Sequence, residues 1–170
     1  MPRNELNCAD FSAVRPMLCF VVFPEQLPHL NRISLRNAMA TIPDKYLDLL
    51  TSKKAFAHIA TTMPDGSPQV TPVWADYADG MIRINTARGR VKDRNMKPGA
   101  RVALALQDPD NPYRYVQVRG KVARSTEQGA DDHIDALAHK YLGVDKYPNR
   151  APGERRVIYI IEPISAQGMG

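Results

Sequence analysis

The sequence predicts a mainly β domain: six antiparallel strands closing into a small barrel, with short helices inserted at its ends. Hairpin chemistry is the first reason. Asp65-Gly66 and Asp79-Gly80 sit between strand-like runs and supply the left-handed residues that tight antiparallel turns need. Period-two patterning is the second, clearest where Tyr115, Gln117 and Arg119 alternate with Val116, Val118 and Gly120. The third is what is missing: the chain has neither the alternating strand–helix order of a parallel α/β fold nor a Gly-rich phosphate loop of the Walker or dinucleotide type.

The elements follow in order. Residues 43–50 read as a short helix, with Thr41 as N-cap candidate and Pro43 tolerated in the first turn. Strands are expected over 55–62, 69–77, 81–86, 101–107, 113–125 and 156–162. Between the third and fourth strands a basic turn runs into a short helix that stops at Lys97-Pro98-Gly99. A longer helix spans 129–142, with Gly143 just past its end. Six such strands, joined mostly by hairpins, remove their edges by closing.

Residues 1–38 look different. They carry four prolines, scattered charge and no sustained period, so they read as an N-terminal arm ahead of a barrel domain over 39–170. The apolar run 17–23 lies in this arm. Glu5 and Asp10 precede it and Pro24-Glu25-Gln26 follows, a poor match to a secretory leader. Cys8 and Cys19 have no metal-ligand spacing, which points to free thiols and a cytoplasmic protein. No apolar run reaches the ~18 residues of a membrane-spanning helix.

At 170 residues, with 44% apolar and 24% charged residues, the chain suits one soluble domain plus an arm. Its charge is unevenly placed. The segment 83–101 holds seven Lys or Arg against one Asp, a local +6, whereas the whole chain is +5. A patch this confined fits a small anionic ligand and not a nucleic-acid footprint. Strand, basic turn and helix start together offer backbone N–H groups and full charges to a phosphate, with Arg90 and Lys92 the leading ligands.

The residues so far, in their order, resemble a known family. They are Ile59-Ala60-Thr61, then Asp65 to Trp74, then Ile84-Asn85-Thr86 with Gly89 to Asn95, and finally Tyr141-Leu142-Gly143. This order is similar to the split β-barrel flavin and deazaflavin oxidoreductases of the pyridoxamine 5′-phosphate oxidase superfamily, above all the branch that uses coenzyme F420. The resemblance covers about residues 40–165 and implies an FMN-binding-like split barrel. It also implies a homodimer with a cofactor site at each interface, and hydride transfer to a small electrophilic substrate. It places Thr86, Ala87, Arg90, Lys92 and Asn95 near the cofactor phosphate and ribityl chain, and Gln69, Thr71, Pro72, Val73 and Trp74 along its ring. The chain departs from the family in two ways. It lacks the aromatic finish of many relatives, and it lacks the C-terminal arginine motif of true pyridoxamine phosphate oxidases, so vitamin B6 synthesis is not expected.

Other readings stand beside this one. FMN shares the ring edge and phosphate with F420, but F420 carries an acidic tail that needs further cations, for which Arg88, Arg94 and Lys121 are candidates. A non-catalytic cofactor or haem carrier would use the same barrel. Trp74 serves equally as a core residue, and Pro72 inside a strand marks an edge or bulge. His133 and His139 lie six apart, about 600° around a helix, so no metal site is expected and Asp135–His139 becomes the expected ion pair. His58 reads as a satisfied core or interface histidine. No catalytic residue is assigned; Tyr113 and Tyr115 are candidate proton donors only.

Overall fold

A computed structural model describes residues 41–170. The arm read over 1–38, with its two cysteines, lies outside the described residues. Seven strands form one antiparallel sheet: β1 (Ala57–Thr62), β2 (Pro68–Val73), β3 (Ala75–Ala78), β4 (Met81–Ala87), β5 (Arg101–Gln107), β6 (Tyr115–Thr126) and β7 (Arg156–Met169). Three helices accompany them: α1 (Leu47–Thr51) after a 3₁₀ turn at Asp44–Tyr46, α2 (Val91–Asn95) and α3 (Ala130–Leu142). Thr41 caps nothing; Pro43 stands before the first turn and no side chain bonds to it. Among the described residues, no helix is long and apolar enough to cross a membrane.

The sheet order is β2-β1-β5-β6-β7-β4-β3. β2 and β3 are therefore opposite edges, yet they are consecutive in the chain with only Trp74 between them. One residue spans under ~4 Å, so the sheet must curl until its edges meet. What the sequence presents as one strand over 69–77 is two strands parted at Trp74, which accounts for seven strands in place of six. Pro72 sits on the edge strand, paired opposite His58, a position in a sheet where proline is tolerated.

Alternation places the core. β5 repeats exposed and buried residues along its whole length, sending Val102, Leu104 and Leu106 inward, and β6 adds Val116, Val118 and Val122. Val157, Tyr159 and Ile161 of β7 point into the same interior, together with Ile59, Ile82 and Ile84. Ile158 and Ile160 point outward, but α3 covers them through Ala130. This double burial explains the unbroken apolar run 157–161. β7 continues seven residues past its expected end because β6 is long enough to pair it to Met169, with bulges near Gly120 and Val122. At the β3–β4 hairpin, Asp79 and Gly80 both take positive φ, as a tight turn between twisted strands demands.

α3 closes the seam. The Tyr141 hydroxyl donates to Ala55 C=O at 2.8 Å and accepts from Ala75 N–H at 3.2 Å. Lys140 donates to the carbonyls of Ala75, at 3.0 Å, and Leu50. Gly143 ends the helix in a left-handed conformation, its N–H donating to His139 C=O.

Candidate anion and cofactor cleft

The seam at Trp74 opens into a cleft of about 170 Å³, lined by Phe56, Pro72, Val73, Trp74, Asn85, Thr86, Arg90, Lys92, Ile134, Tyr147, Asn149 and Arg156. One wall is aromatic. Trp74 stacks on Tyr141 with ring centres 5.2 Å apart and planes 5° apart, and Tyr147 meets Trp74 edge-on at 5.7 Å. The other wall is cationic. Antiparallel pairing of β4 with β7 sets Arg156 opposite Ala87 and Val157 opposite Thr86, bringing the first residue of the last strand beside the basic turn.

The cations of segment 83–101 separate into those the fold uses and those it leaves over. Arg83 forms a two-pronged bond to Asp76. Arg88 bonds to Glu127 and Asp93, and Arg94 donates to Gly89 C=O. Asp93 also accepts from Gly89 N–H at 2.8 Å and from the Tyr159 hydroxyl at 2.6 Å, fixing the turn. Lys92 differs. It is only 8% exposed, and its ammonium has no hydrogen bond or ion pair among the described residues. Burial, and then repulsion from Arg90 and Arg156, pull its ammonium below the usual lysine range.

Among the described residues, Glu154 is the one carboxylate in reach. Its Oε1 accepts from Arg90 at 3.1 Å and lies 3.2 Å from Arg156 Nη1. Arg90, Lys92 and Arg156 against Glu154 leave the cleft at +2. Two further donors have no aligned partner: the Thr86 hydroxyl and Arg156 Nη1, both buried. A buried donor with no acceptor costs about 1–3 kcal/mol, so this set is suited to an anion with several oxygens.

The helix-terminus part of the expectation gives way. α2 has five residues, too few for a strong macrodipole, and Asp93 already takes Gly89 N–H. Side chains carry the charge here.

Of the ten residues singled out from sequence, Pro72, Val73, Trp74, Thr86, Arg90 and Lys92 line the cleft. Ala87 is buried behind it in β4. Gln69, Thr71 and Asn95 form a separate polar cluster: Thr61 Oγ1 donates to Gln69 Oε1, Gln69 Nε2 to Thr71 Oγ1, and Asn95 Nδ2 to Thr61 Oγ1, at 2.8–3.0 Å. This cluster ties the end of α2 to the β1–β2 hairpin. Tyr113 and Tyr115 line no part of the cleft. Asn149, Tyr147 and Arg156 are additions from distant sequence, and only the apolar run after Arg156 marked its neighbourhood.

Three further expectations change. Asp135 pairs with Lys146, Arg150 and the Tyr147 N–H, not with His139, and so holds the 143–150 loop over the cleft. His58 is exposed on the outer face of β1. Arg88 and Lys121 are already paired, Lys121 with Glu162 at 3.3 Å, and neither is free for an acidic tail.

The fold and site define a class: a split antiparallel barrel with an aromatic and cationic cleft at its seam. The chain belongs to the pyridoxamine 5′-phosphate oxidase family, whose profile matches residues 42–167. Among solved structures, an F420 reductase is 31% identical with a TM-score of 0.60, covering 71% of this chain and 94% of its own. A conserved hypothetical protein from Mycobacterium tuberculosis is 21% identical with a TM-score of 0.55, over 79% of this chain and 88% of its own. HupZ from Group A Streptococcus is 18% identical with a TM-score of 0.55, over 75% and 94%. The last two share the fold alone. No curated protein matches the chain.

Proposed function

We propose that the protein is a coenzyme F420-dependent oxidoreductase that reduces a small electrophilic substrate. The observation that carries this is the leftover donor set: buried Lys92, Thr86 Oγ1 and Arg156 Nη1, with Arg90 at the rim and a net +2. A cofactor phosphate near −2 fits that set in charge and acceptor number. The adjoining wall of Pro72, Val73 and Trp74 is flat and apolar, as a tricyclic ring requires. Similarity to an F420 reductase favours the deazaflavin over FMN. Thr86, Arg90, Lys92 and Arg156 would hold the cofactor phosphate, and the bound deazaflavin would supply hydride chemistry toward a C=C or C=N bond. The chain's own part is to hold the phosphate, cover one ring face and exclude water.

The cleft is open and small, below the ~300–1,000 Å³ of many ligand pockets, and a second copy would complete it. Phe56, which lines the cleft, is 47% accessible, and Val70, on the same strand as Pro72, is 59% accessible, consistent with a homodimer. Sedimentation of the purified protein checks this, and a monomer at micromolar concentration overturns it.

Thermal-shift titrations with F420 and with FMN at matched salt, on wild type and Lys92→Ala, test the cofactor reading. The expected result is a larger response to F420 that Lys92→Ala loses. If FMN gives the larger response, the cofactor is FMN. A Lys92→Ala protein that binds either cofactor as well as wild type overturns the phosphate placement.

A further inference from the structure

A polar chain runs from β3 and β4 through α3 into the cleft: Arg83, Asp76, His133, Asn85 and Arg156, of which the last two line the cleft itself. Asn85 is its centre. Its Oδ1 accepts from Arg156 Nε at 2.9 Å, and its Nδ2 donates to Ala130 C=O at 2.7 Å. A guanidinium nitrogen only donates and a carbonyl only accepts, so these two partners fix which end of the amide is oxygen. The same Nδ2 lies 3.3 Å from His133 Nδ1. An amide N–H there leaves His133 Nδ1 the acceptor, and the ring proton must sit on Nε2. That atom faces Asp76 Oδ1 at 3.3 Å, off the line of an aligned hydrogen bond. Asp76 is in turn held by the two-pronged Arg83 bond. Each member leaves the next one orientation.

We propose that His133 is a positioning residue for the anion site: through Asn85 it fixes Arg156 with one guanidinium edge free for the bound phosphate. This rests on the cofactor-phosphate reading above. Without an acceptor at Nδ1, the second Asn85 amide hydrogen has no partner, and the amide is held against Arg156 Nε by Ala130 C=O alone. The remaining restraints on Arg156 are Glu154 and the Tyr147 ring, 5.1 Å from the guanidinium carbon, and both lie on the cleft side. The brace on the far side therefore comes from Asn85, and His133 adds the contact that tightens its amide.

Two substitutions separate this role from mere packing. Asn at 133 places an amide where Nδ1 was, keeping an acceptor for Asn85 and losing the Asp76 contact. Gln places its amide where Nε2 was and reverses those losses. Titrating F420 and FMN, His133→Asn is expected to bind within about twofold of wild type, and His133→Gln about tenfold more weakly, as for loss of one buried orienting bond. Nitrogen NMR gives the readout without ligand. Wild-type His133 should show a protonated Nε2 and an unprotonated Nδ1, and the Arg156 Nε–H resonance should move in His133→Gln but not in His133→Asn. An Nδ1-protonated wild-type ring, or an Arg156 resonance and affinities unchanged in His133→Gln, overturns the proposal. If wild type binds neither cofactor while the Arg156 resonance responds as expected, the cofactor reading fails and the brace stands.

Discussion

Around Arg114, two cations meet three carboxylates; around Lys92, three cations meet one. Arg114 bonds both oxygens of Asp48 at 2.6 and 3.0 Å and Asp108 at 2.7 Å, and Lys53 reaches Asp108 and Asp110, each at 2.7 Å. Every charge there has a partner, and the result is mechanical: the 108–114 loop is tied to α1. Lys92 is as well buried as many core residues but has no carboxylate of its own. A fold that matches its cations so fully in one place has not failed to match them in another. The unmatched set marks where the molecule expects charge from outside.

The comparison breaks most sharply at Lys92 itself. Lys92→Met removes a desolvated cation from beside Arg90 and Arg156, relieving like-charge repulsion. Cofactor affinity is expected to fall about 100-fold, since a charge-assisted bond contributes up to ~3 kcal/mol. The melting temperature without ligand should stay level or rise. Calorimetric titration and a thermal scan on one sample check both, and a large drop in melting temperature would make Lys92 a structural lysine.

Asp108→Asn is the mirror case. Bonds from Lys53, the Asp110 N–H and Arg114 hold the Asp108 carboxyl far below the usual carboxylate range. Its removal leaves Lys53 and Arg114 with less acid than they were built around. A melting temperature lower by several degrees is expected, with cofactor affinity unchanged.

The two clusters were unequally legible in the sequence. The strands were readable where burial is one-sided: β5 matches its expected bounds because Arg101, Ala103 and Ala105 face out while Val102, Leu104 and Leu106 face in. The polar end of β7 was not, since residues 164–169 pair with β6 without alternating in hydropathy. The break at Trp74 was hidden because an apolar strand gives no local sign of passing from one sheet edge to the other. At the site, Arg90 and Lys92 stood out through local charge density. Arg156 did not, being 71 residues from Asn85, and neither did the carboxylates that consume Arg83 and Arg88. Charge counted along a chain overstates free charge, because its partners arrive from other strands.

Lys140 is a third kind of cation, buried against carbonyls with no bonded acid. Burial pulls its ammonium down to about 8, partly opposed by Asp76. Between pH 8 and the ~10.4 of an unfolded lysine, the unfolded chain holds a proton that the folded chain has lost. Stability should therefore gain from this residue as pH rises through that window. Tyr141, pushed up to about 12 by burial, acts oppositely above pH ~10, where only the unfolded chain has lost its phenolic proton. Denaturant melts of wild type and Lys140→Met at pH 7.5, 9 and 10 isolate the lysine: the difference between the two proteins should shift in favour of wild type as pH rises. A difference independent of pH would mean that Lys140 is not titrating in that window.

The smallest effect is expected at Glu154, where the two patterns of charge meet. Among the described residues, its Oε1 is the only acid shared by Arg90 and Arg156, and its Oε2 is buried without a partner. Without ligand, this carboxylate restrains two cations that would otherwise repel. With a phosphate beside them it becomes a like charge at close range. Glu154→Gln keeps an oxygen for Arg90 and takes the cleft from +2 to +3. In the water-like dielectric of an open cleft, removing one charge about 4–6 Å from a phosphate near −2 is worth ~1–2 kcal/mol before screening, so affinity should rise about three- to tenfold. The gain should shrink as salt is raised, while the ligand-free protein melts slightly lower. If affinity falls instead, Glu154 acts chiefly by orienting Arg90 and Arg156, and the cleft is more fully matched than its net charge implies.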